Sequence, residues 1–210
     1  MRNIKALLLL TGVLAGTTAL AAESVSDLQQ AWAHATYELD ADQRGPALDE
    51  LGRSATELVS AHPDDAPLLI WQGIILSSYA GEASGFSALG AAKQARKALQ
   101  KALEIDPNAL DGSAYTSLGA LYYKVPGWPI GFGDDKKART YLEQALTLNP
   151  DGIDPNYFMG EFLIESGDIP EARAHLVKAL NAPDRAGREV ADNGRRQEIQ
   201  TLLDQIQGAD

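Results

Sequence analysis

The chain has 210 residues, a formal net charge of −11, 45% hydrophobic residues and no cysteine. The hydrophobic content excludes a mainly disordered protein, and the length fits a single domain. The absence of cysteine excludes a disulfide framework, a cysteine zinc site and thiol catalysis. The acidic charge argues against nucleic acid as a partner, because contact with phosphates requires a basic surface.

The first 21 residues are expected to form a secretory signal peptide. Arg2 and Lys5 precede an apolar run from Ala6 to about Leu20, and small residues there suit cleavage after Ala21. A membrane anchor is the alternative, but the run is short for a spanning helix. An exported protein without cysteines fits a bacterial periplasm, and no membrane association is expected after cleavage.

The helices that follow are predicted from apolar spacing and from their start signals. Apolar residues three and four positions apart predict a helix within residues 24–37. Gly45 and Pro46 are expected to open a second helix that ends near Ala61. Aspartates beside prolines predict later helix starts, because a carboxylate caps free amides and proline fits the first turn. These starts are Asp65 with Pro67, Asp154 with Pro155, and Asp168 with Pro170.

Residues 134–183 contain one pattern twice. An alanine, a leucine and a second alanine follow at fixed spacing, and a proline then ends the helix. The two copies begin at Ala138 and Ala172, which lie 34 positions apart, the period of a helix-turn-helix repeat. The copies are Ala138, Leu142, Ala145 and Pro150, then Ala172, Leu176, Ala179 and Pro183.

A third copy of this pattern begins at Ala95, and Leu118-Gly119 followed by Tyr122 lies in the predicted helix before the copy at Ala138. These residues resemble the tetratricopeptide repeat family. The resemblance implies an all-α fold of about three to four helical-hairpin repeats, with a concave face that binds proteins or peptides. A final amphipathic helix is expected to cover the last apolar face.

The predicted repeat domain covers residues 22–210. Its expected parts are a degenerate repeat at 24–63, inserted repeats at 67–107 and 111–150, a regular repeat at 154–183, and a capping helix at 192–207.

Two insertions separate the paired helices of the middle repeats, one around residues 81–90 and one within residues 122–132. The second is rich in aromatic residues and contains two prolines. One interpretation makes it a preordered binding loop. The other makes Trp128 and Phe132 a plug for the gap between helices. We expect Trp128 to be packed at its base, with Tyr123 or Phe132 more open.

The candidate binding residues combine this insert with the concave face that the family resemblance implies. They are Trp71, Tyr115, Tyr122, Tyr123, Trp128, Phe132, Asn156 and Tyr157.

The leading hypothesis is an exported periplasmic adaptor that binds a protein or peptide in its concave groove without a cofactor. Residues 118–146 are also similar to the periplasmic T component of TRAP transporters, which implies a periplasmic substrate-binding protein as partner. A small-ligand carrier or transporter accessory protein is the alternative.

Catalysis is not predicted. The three histidines, His34, His62 and His175, are isolated from one another, and no nucleophile, phosphate-loop or metal-ligand motif is present.

Overall fold

The computed structural model describes residues 24–207, which form nine α-helices and no β-strand. The predicted signal peptide lies outside these residues. In chain order the helices are α1 (Val25–Tyr37), α2 (Ala41–Ala61), α3 (Ala66–Glu82), α4 (Gly85–Ile105), α5 (Ala109–Lys124), α6 (Asp135–Leu148), α7 (Ile153–Glu165), α8 (Ile169–Leu180) and α9 (Glu189–Gln207).

Helices α1 to α8 pair in sequence as four hairpins, and each hairpin packs against the next. Helix α9 packs against α8, the second helix of the last hairpin. The predicted all-α repeat fold with a C-terminal capping helix is therefore confirmed.

Three hairpins each contain the same kind of close contact, between a glycine of the first helix and a buried leucine of the second. A Cβ atom on the glycine would lie 2.5 to 2.7 Å from the Cγ atom of the leucine. The helices approach so closely here that only glycine leaves room for the leucine. The pairs are Gly73 with Leu99, Gly119 with Leu142, and Gly160 with Leu176.

Two of the three predicted aspartate caps are confirmed. The carboxylates of Asp65 and Asp168 accept hydrogen bonds from the backbone amides three residues ahead, at 2.9 and 3.3 Å. The prediction for Asp154 was wrong. Gly152 occupies the N-cap position of α7 and provides no side-chain cap, while Asp154 forms ion pairs with Arg185 and Arg195.

Two predicted helix starts were too late in the sequence. Helix α2 begins at Ala41, so Pro46 lies inside it. Proline is tolerated there because the carbonyl it leaves unpaired belongs to Asp42, on an exposed stretch of the helix. Helix α9 begins at Glu189, three residues before the predicted position.

The insertion around residues 81–90 is not a long loop. Helix α3 continues to Glu82 and α4 begins at Gly85, so only Ala83 and Ser84 separate them. The extra residues lengthen the two helices, and Phe86 is carried on the first turn of α4.

Helix α9 also contacts α1, so the last helix meets the first. Ala191 joins the apolar cluster that contains Leu28 and Trp32 of α1. Gly194 lies against the ring of Tyr37, where a Cβ atom would be 2.2 Å from ring carbon Cδ1. The repeats therefore form a closed arrangement around a central space.

We predict that Gly160→Ala lowers the free energy of unfolding. Overpacking against buried Leu176 destabilises the fold by about 1–3 kcal/mol, while the better helix propensity of alanine stabilises it by at most about 1 kcal/mol. Gly81→Ala is the control, because a Cβ atom at this helical position meets nothing within 4 Å. Urea unfolding should show Gly81→Ala to be at least as stable as the parent. Equal stability of the two variants would contradict the packing argument.

Candidate functional site

A central cavity of about 1460 Å³ lies inside the closed arrangement. The first helices of the hairpins, α1, α3, α5 and α7, contribute side chains to its wall, as do α2, α4, the insert and the segment from 183 to 198. The concave face of the repeats therefore lines a partly open cavity. Its apolar wall includes Ile74, Leu89, Ala92, Leu121, Ile130 and Phe158.

Two tryptophans lie in the wall beside the meeting point of α1 and α9. The rings of Trp32 and Trp71 meet edge-on with their centres 5.7 Å apart, and Tyr37 contacts Trp32 at the same distance. The Trp32 indole donates a hydrogen bond to the Ser78 hydroxyl at 2.8 Å. The Arg188 guanidinium lies over Trp71, 5.0 Å from the ring centre. This part of the wall combines aromatic surface with a cation.

An ionic cluster joins α7 to the segment that closes the cavity. Arg185 binds the carboxylates of Asp154 and Asp192, each at 2.6 Å. Arg195 contacts the other oxygen of Asp154 at 3.0 Å and also pairs with Glu198. Asp192 and Arg195 are buried, so the charges are largely removed from water and rely on one another.

The charged forms of this cluster are strongly favoured. Burial acts to raise the pKa of Asp154, but Arg185 and Arg195 outweigh it and lower the pKa to about 2. Burial acts to lower the pKa of Arg195, but Tyr37 and the neighbouring carboxylates raise it well above its usual range. The cluster is therefore ionised at neutral pH.

Two of the eight candidate binding residues, Trp71 and Tyr157, line the central cavity. Both side chains are buried, and each has an arginine over its ring. Arg195 lies 4.2 Å from the centre of the Tyr157 ring. These two residues present ring surface to the cavity from different hairpins, on α3 and α7.

Asn156 has a structural position. It is fully buried, and its side-chain amide donates to the carbonyls of Pro150 and Gly152 at 2.8 Å. Its Oδ1 lies 2.9 Å from His175 Nδ1. Asn156 and His175 therefore tie the turn before α7 to helix α8, and neither lines the cavity.

The three tyrosines of α5 pack between helices and do not line the cavity. Tyr122 stacks on Tyr141 with centres 5.5 Å apart, and Tyr115 lies 6.2 Å from the same ring. Tyr123 is buried, and its hydroxyl donates to Glu161 at 2.6 Å. All three hold α5 against its neighbours.

The expected arrangement of the insert was wrong. Trp128 is 89% exposed, so it does not plug the gap between helices. Phe132 does, because it is half-buried between the edge of Tyr122, at 5.6 Å, and the Arg96 guanidinium, at 4.1 Å. Tyr123, which was expected to be more open, is buried.

The backbone of the insert explains this arrangement. Gly127 pairs with Gly133 in an isolated bridge, and the Gly133 amide donates to the Pro126 carbonyl at 3.0 Å. The two ends of the insert are thus brought together, and the cis Trp128–Pro129 bond and Ile130 lie at the tip. Trp128 at this tip is therefore held away from the helices.

Three large apolar side chains are exposed beside the cavity, and we call them the apolar rim. Phe86 is 95% exposed, Trp128 is 89% exposed and Ile130 is 70% exposed. Phe86 and Ile130 both line the central cavity, although they come from different hairpins. Trp128 lies two residues from Ile130 on the same tip.

Sequence reasoning missed the charged part of this site. None of the candidate binding residues lies after residue 183, but this part of the chain supplies Arg185, Arg188 and Arg195 to the cavity wall. The available signal was the density of arginines and acids in a short stretch. Asp154, the partner of Arg185 and Arg195, lies 31 positions before Arg185, so no local spacing indicated the pairing.

Comparison with known proteins agrees with the repeat architecture. Two tetratricopeptide repeat family models match the chain, at residues 130–192 and 78–109. The chain contains tetratricopeptide repeats over these residues. No curated protein matches it.

A thermophilic tetratricopeptide repeat protein from Thermus thermophilus has a similar structure, with a TM-score of 0.56. The similarity covers 85% of this chain and 89% of that chain at 18% identity, and at this identity it concerns the fold. The repeats support a function as a protein–protein interaction module.

No helix within residues 24–207 combines the length and apolar character needed to cross a membrane. The same residues contain no group of three or more histidine or carboxylate side chains placed to hold a metal ion.

We predict that stability falls between pH 4 and pH 2 because of Asp154. The pKa of an aspartate side chain is 3.8 in the unfolded chain, and that of Asp154 is about 2 in the fold. The ion pairs of Asp154 therefore stabilise the protein fully above pH 4, and this stabilisation is lost as the pH falls towards 2. Asp154→Asn should lower the free energy of unfolding at pH 7 by about 2–4 kcal/mol and flatten its dependence over this pH range.

Asp184→Asn is the matched control, because Asp184 also binds an arginine, Arg196, but is 84% exposed. It should change stability by no more than about 0.5 kcal/mol. Urea unfolding from pH 7 to pH 2 measures both effects. An unchanged slope in Asp154→Asn would contradict the assignment.

We also predict that two aromatic residues of the insert, Phe132 and Trp128, contribute very differently to stability. Phe132→Ala should lower the free energy of unfolding by about 1.5–3 kcal/mol, because a packed ring is lost. Trp128→Ala should change it by less than about 0.5 kcal/mol, because the side chain is exposed. Thermal and urea unfolding compare the two, and a large loss in Trp128→Ala would show that the indole packs in solution.

Proposed function

We propose that the protein is an exported periplasmic adaptor whose apolar rim and concave cavity bind a protein partner. The rim is the observation that carries this proposal. Trp128 and Ile130 expose an aromatic and an aliphatic side chain on one loop tip, and aromatic anchors contribute much of the energy of protein interfaces. The predicted signal peptide supports export.

The insert is well suited to binding because it is ordered before the partner arrives. Besides the bridge between Gly127 and Gly133, the Gly131 amide donates to the Gly127 carbonyl at 3.1 Å. The Asp134 amide donates to the carbonyl of Tyr122 at 2.8 Å, which ties the end of the insert to α5. A fixed loop loses little conformational entropy when it docks.

The partner is a protein or peptide with an apolar docking surface and, around it, basic residues. The net charge of −11 favours a partner of opposite charge at the polar edge of an interface. The resemblance of residues 118–146 to the T component of TRAP transporters favours a periplasmic substrate-binding protein, and the cavity behind the rim admits a projecting loop of that partner.

We predict that Trp128→Ala and Ile130→Ser each weaken partner binding by about 10-fold or more, while the fold is retained. The measurement is affinity capture of periplasmic proteins by the tagged protein, followed by quantitative binding of the recovered partner. Val177→Ala is the control, because Val177 is an exposed aliphatic residue on α8, away from the rim.

The control should bind the partner as the parent does. Capture of no specific protein under several salt conditions would overturn the adaptor proposal. Equal loss of binding in Val177→Ala would show that the rim is not the docking surface.

A second candidate function is the carriage of a small ligand, as in a transporter accessory protein. The volume of the central cavity, about 1460 Å³, favours it, because small-molecule sites usually need only about 300–1,000 Å³. The two functions are compatible, because Trp128 lies outside the cavity wall while Trp71 and Tyr157 line it.

A further inference from the structure

Helix α4 is the most basic helix of an acidic chain. From Gly85 to Leu103 it contains four cationic side chains and no carboxylate, although the whole chain has a net charge of −11. Lys93 and Lys97 lie one turn apart on its exposed face, and neither ammonium group forms a hydrogen bond or an ion pair with a described residue. Like charges at this spacing slightly destabilise a helix, so the stability of the fold does not explain them.

The edge of this face meets a cluster of aromatic rings. The Arg96 guanidinium of α4 lies 4.1 Å from the centre of the Phe132 ring. The Lys137 ammonium of α6 lies 5.5 Å from the centre of the Tyr122 ring, which Phe132 contacts edge-on. Tyr122 in turn stacks on Tyr141 of α6. Cations from two helices therefore lie beside one aromatic cluster.

Helices α4 and α6 both pack against α5 but not against each other, so side chains of α5 form the floor of a groove between them. Tyr115 on α5 and Tyr141 on α6 have their ring centres 6.2 Å apart, and both side chains are half-buried. Burial raises the pKa of Tyr141, and Arg96 is close enough to oppose this rise. We call this surface the cationic groove, formed by the cations Lys93, Arg96, Lys97 and Lys137 and the rings of Tyr115, Phe132 and Tyr141.

The cationic groove is separate from the sites described above. None of its residues lines the central cavity, and none belongs to the apolar rim. The nearest acids do not neutralise it. Asp134 lies 3.8 Å from the Lys137 ammonium, but its carboxylate also accepts hydrogen bonds from two backbone amides of α6. Glu104 lies about two turns beyond Arg96 on α4.

These features define the chemistry of a ligand. Unpaired cations favour carboxylates, and the ring surfaces favour an aromatic side chain that can pack against them. The rings are half-buried while the lysines are exposed, so the ligand must be narrow enough to enter between α4 and α6. An extended peptide segment meets this requirement, whereas a flat membrane surface would contact the lysines alone. A long polyanion such as nucleic acid would extend over the acidic remainder of the protein and be repelled there.

We propose that the cationic groove binds an acidic peptide segment of a partner protein. Its carboxylates contact the cations of α4 and α6, and an aromatic side chain packs against Tyr115 and Tyr141. This site is additional to the apolar rim, whose partner is expected to be basic around an apolar docking surface. An adaptor with both sites holds two partners of different chemistry at once.

The test uses the purified protein without its predicted signal peptide and three fluorescent peptides of equal length. The repeating sequence Asp-Glu-Tyr has charge and rings, Asn-Gln-Tyr has rings alone, and Asp-Glu-Ser has charge alone. Fluorescence anisotropy should show saturable binding of the Asp-Glu-Tyr peptide and at least about 10-fold weaker binding of the other two. Equal affinity for the Asp-Glu-Tyr peptide and either of the others, or no binding of it, would overturn the proposal.

Charge reversal tests the cations. The double variant Lys93→Glu with Lys97→Glu should weaken binding of the Asp-Glu-Tyr peptide by about 10-fold or more. The matched control is Arg53→Glu with Lys178→Glu, which changes the net charge equally at exposed positions of α2 and α8. The control should bind the peptide within about two-fold of the parent. Equal loss in both variants would show a response to net charge only and would overturn the assigned groove.

The aromatic part of the site has its own variant. Tyr141→Leu keeps an apolar side chain and removes the ring, so it should weaken binding of the Asp-Glu-Tyr peptide by a few-fold and leave the Asp-Glu-Ser peptide unaffected. Circular dichroism and thermal unfolding establish that each variant is folded. If Tyr141→Leu does not fold, the lysine double variant decides, because its two side chains are exposed and unpaired.

Two further measurements test other occupants of the groove. They are sedimentation with phosphatidylglycerol vesicles and analytical ultracentrifugation of the protein alone. Vesicle binding or self-association that the lysine double variant abolishes would assign the cations to a lipid surface or to a second copy, and would overturn the peptide proposal. The parent protein should show neither.

The peptide titrations contain no partner of the apolar rim, so their failure leaves the adaptor proposal standing. The rim variants Trp128→Ala and Ile130→Ser should bind the Asp-Glu-Tyr peptide as the parent does, because neither residue belongs to the groove. Loss of partner capture in those variants would likewise leave a positive peptide titration standing.

Discussion

The contact between α9 and α1 is the constraint on which the rest of the structure depends. An array of hairpins held only by nearest neighbours would leave its concave face as an open groove. Here one face of α9 covers α8 through Ile199 and Leu203, while Ala191 and Gly194 meet α1. The two ends of the array are thereby joined, and the concave face becomes the wall of a partly open central cavity.

The junction of α9 with α1 depends on charge as well as on apolar packing. Arg195 is buried at the junction of α1, α7 and α9, where it binds Asp154 and Glu198 and covers the ring of Tyr157. A buried ion pair adds little net stability compared with an apolar pair of similar size, but it is strongly unfavourable when misaligned. The cluster therefore acts mainly on geometry, since it fixes the angle at which α9 approaches the other helices.

The sequence was sufficient to predict what repeats locally. The spacing of alanines and leucines follows from the close helix contacts, so the hairpins and the caps at Asp65 and Asp168 were predictable. Asp154 looks the same in sequence, but its pairing is decided by arginines far along the chain. The exposure of Trp128 was equally inaccessible, because it depends on how the ends of the insert pair through Gly127 and Gly133. The meeting of α1 and α9 leaves no periodic signal at all.

The close approach of Gly194 to Tyr37 limits how such a protein can evolve or be redesigned. An open repeat array lengthens or shortens by duplication or deletion of a repeat, because each unit contacts only its neighbours. In this protein a fifth hairpin would move α9 away from α1 and separate the charges at the junction. The number of hairpins is therefore fixed at four, and variation is directed to the loops and to the residues of the inner wall.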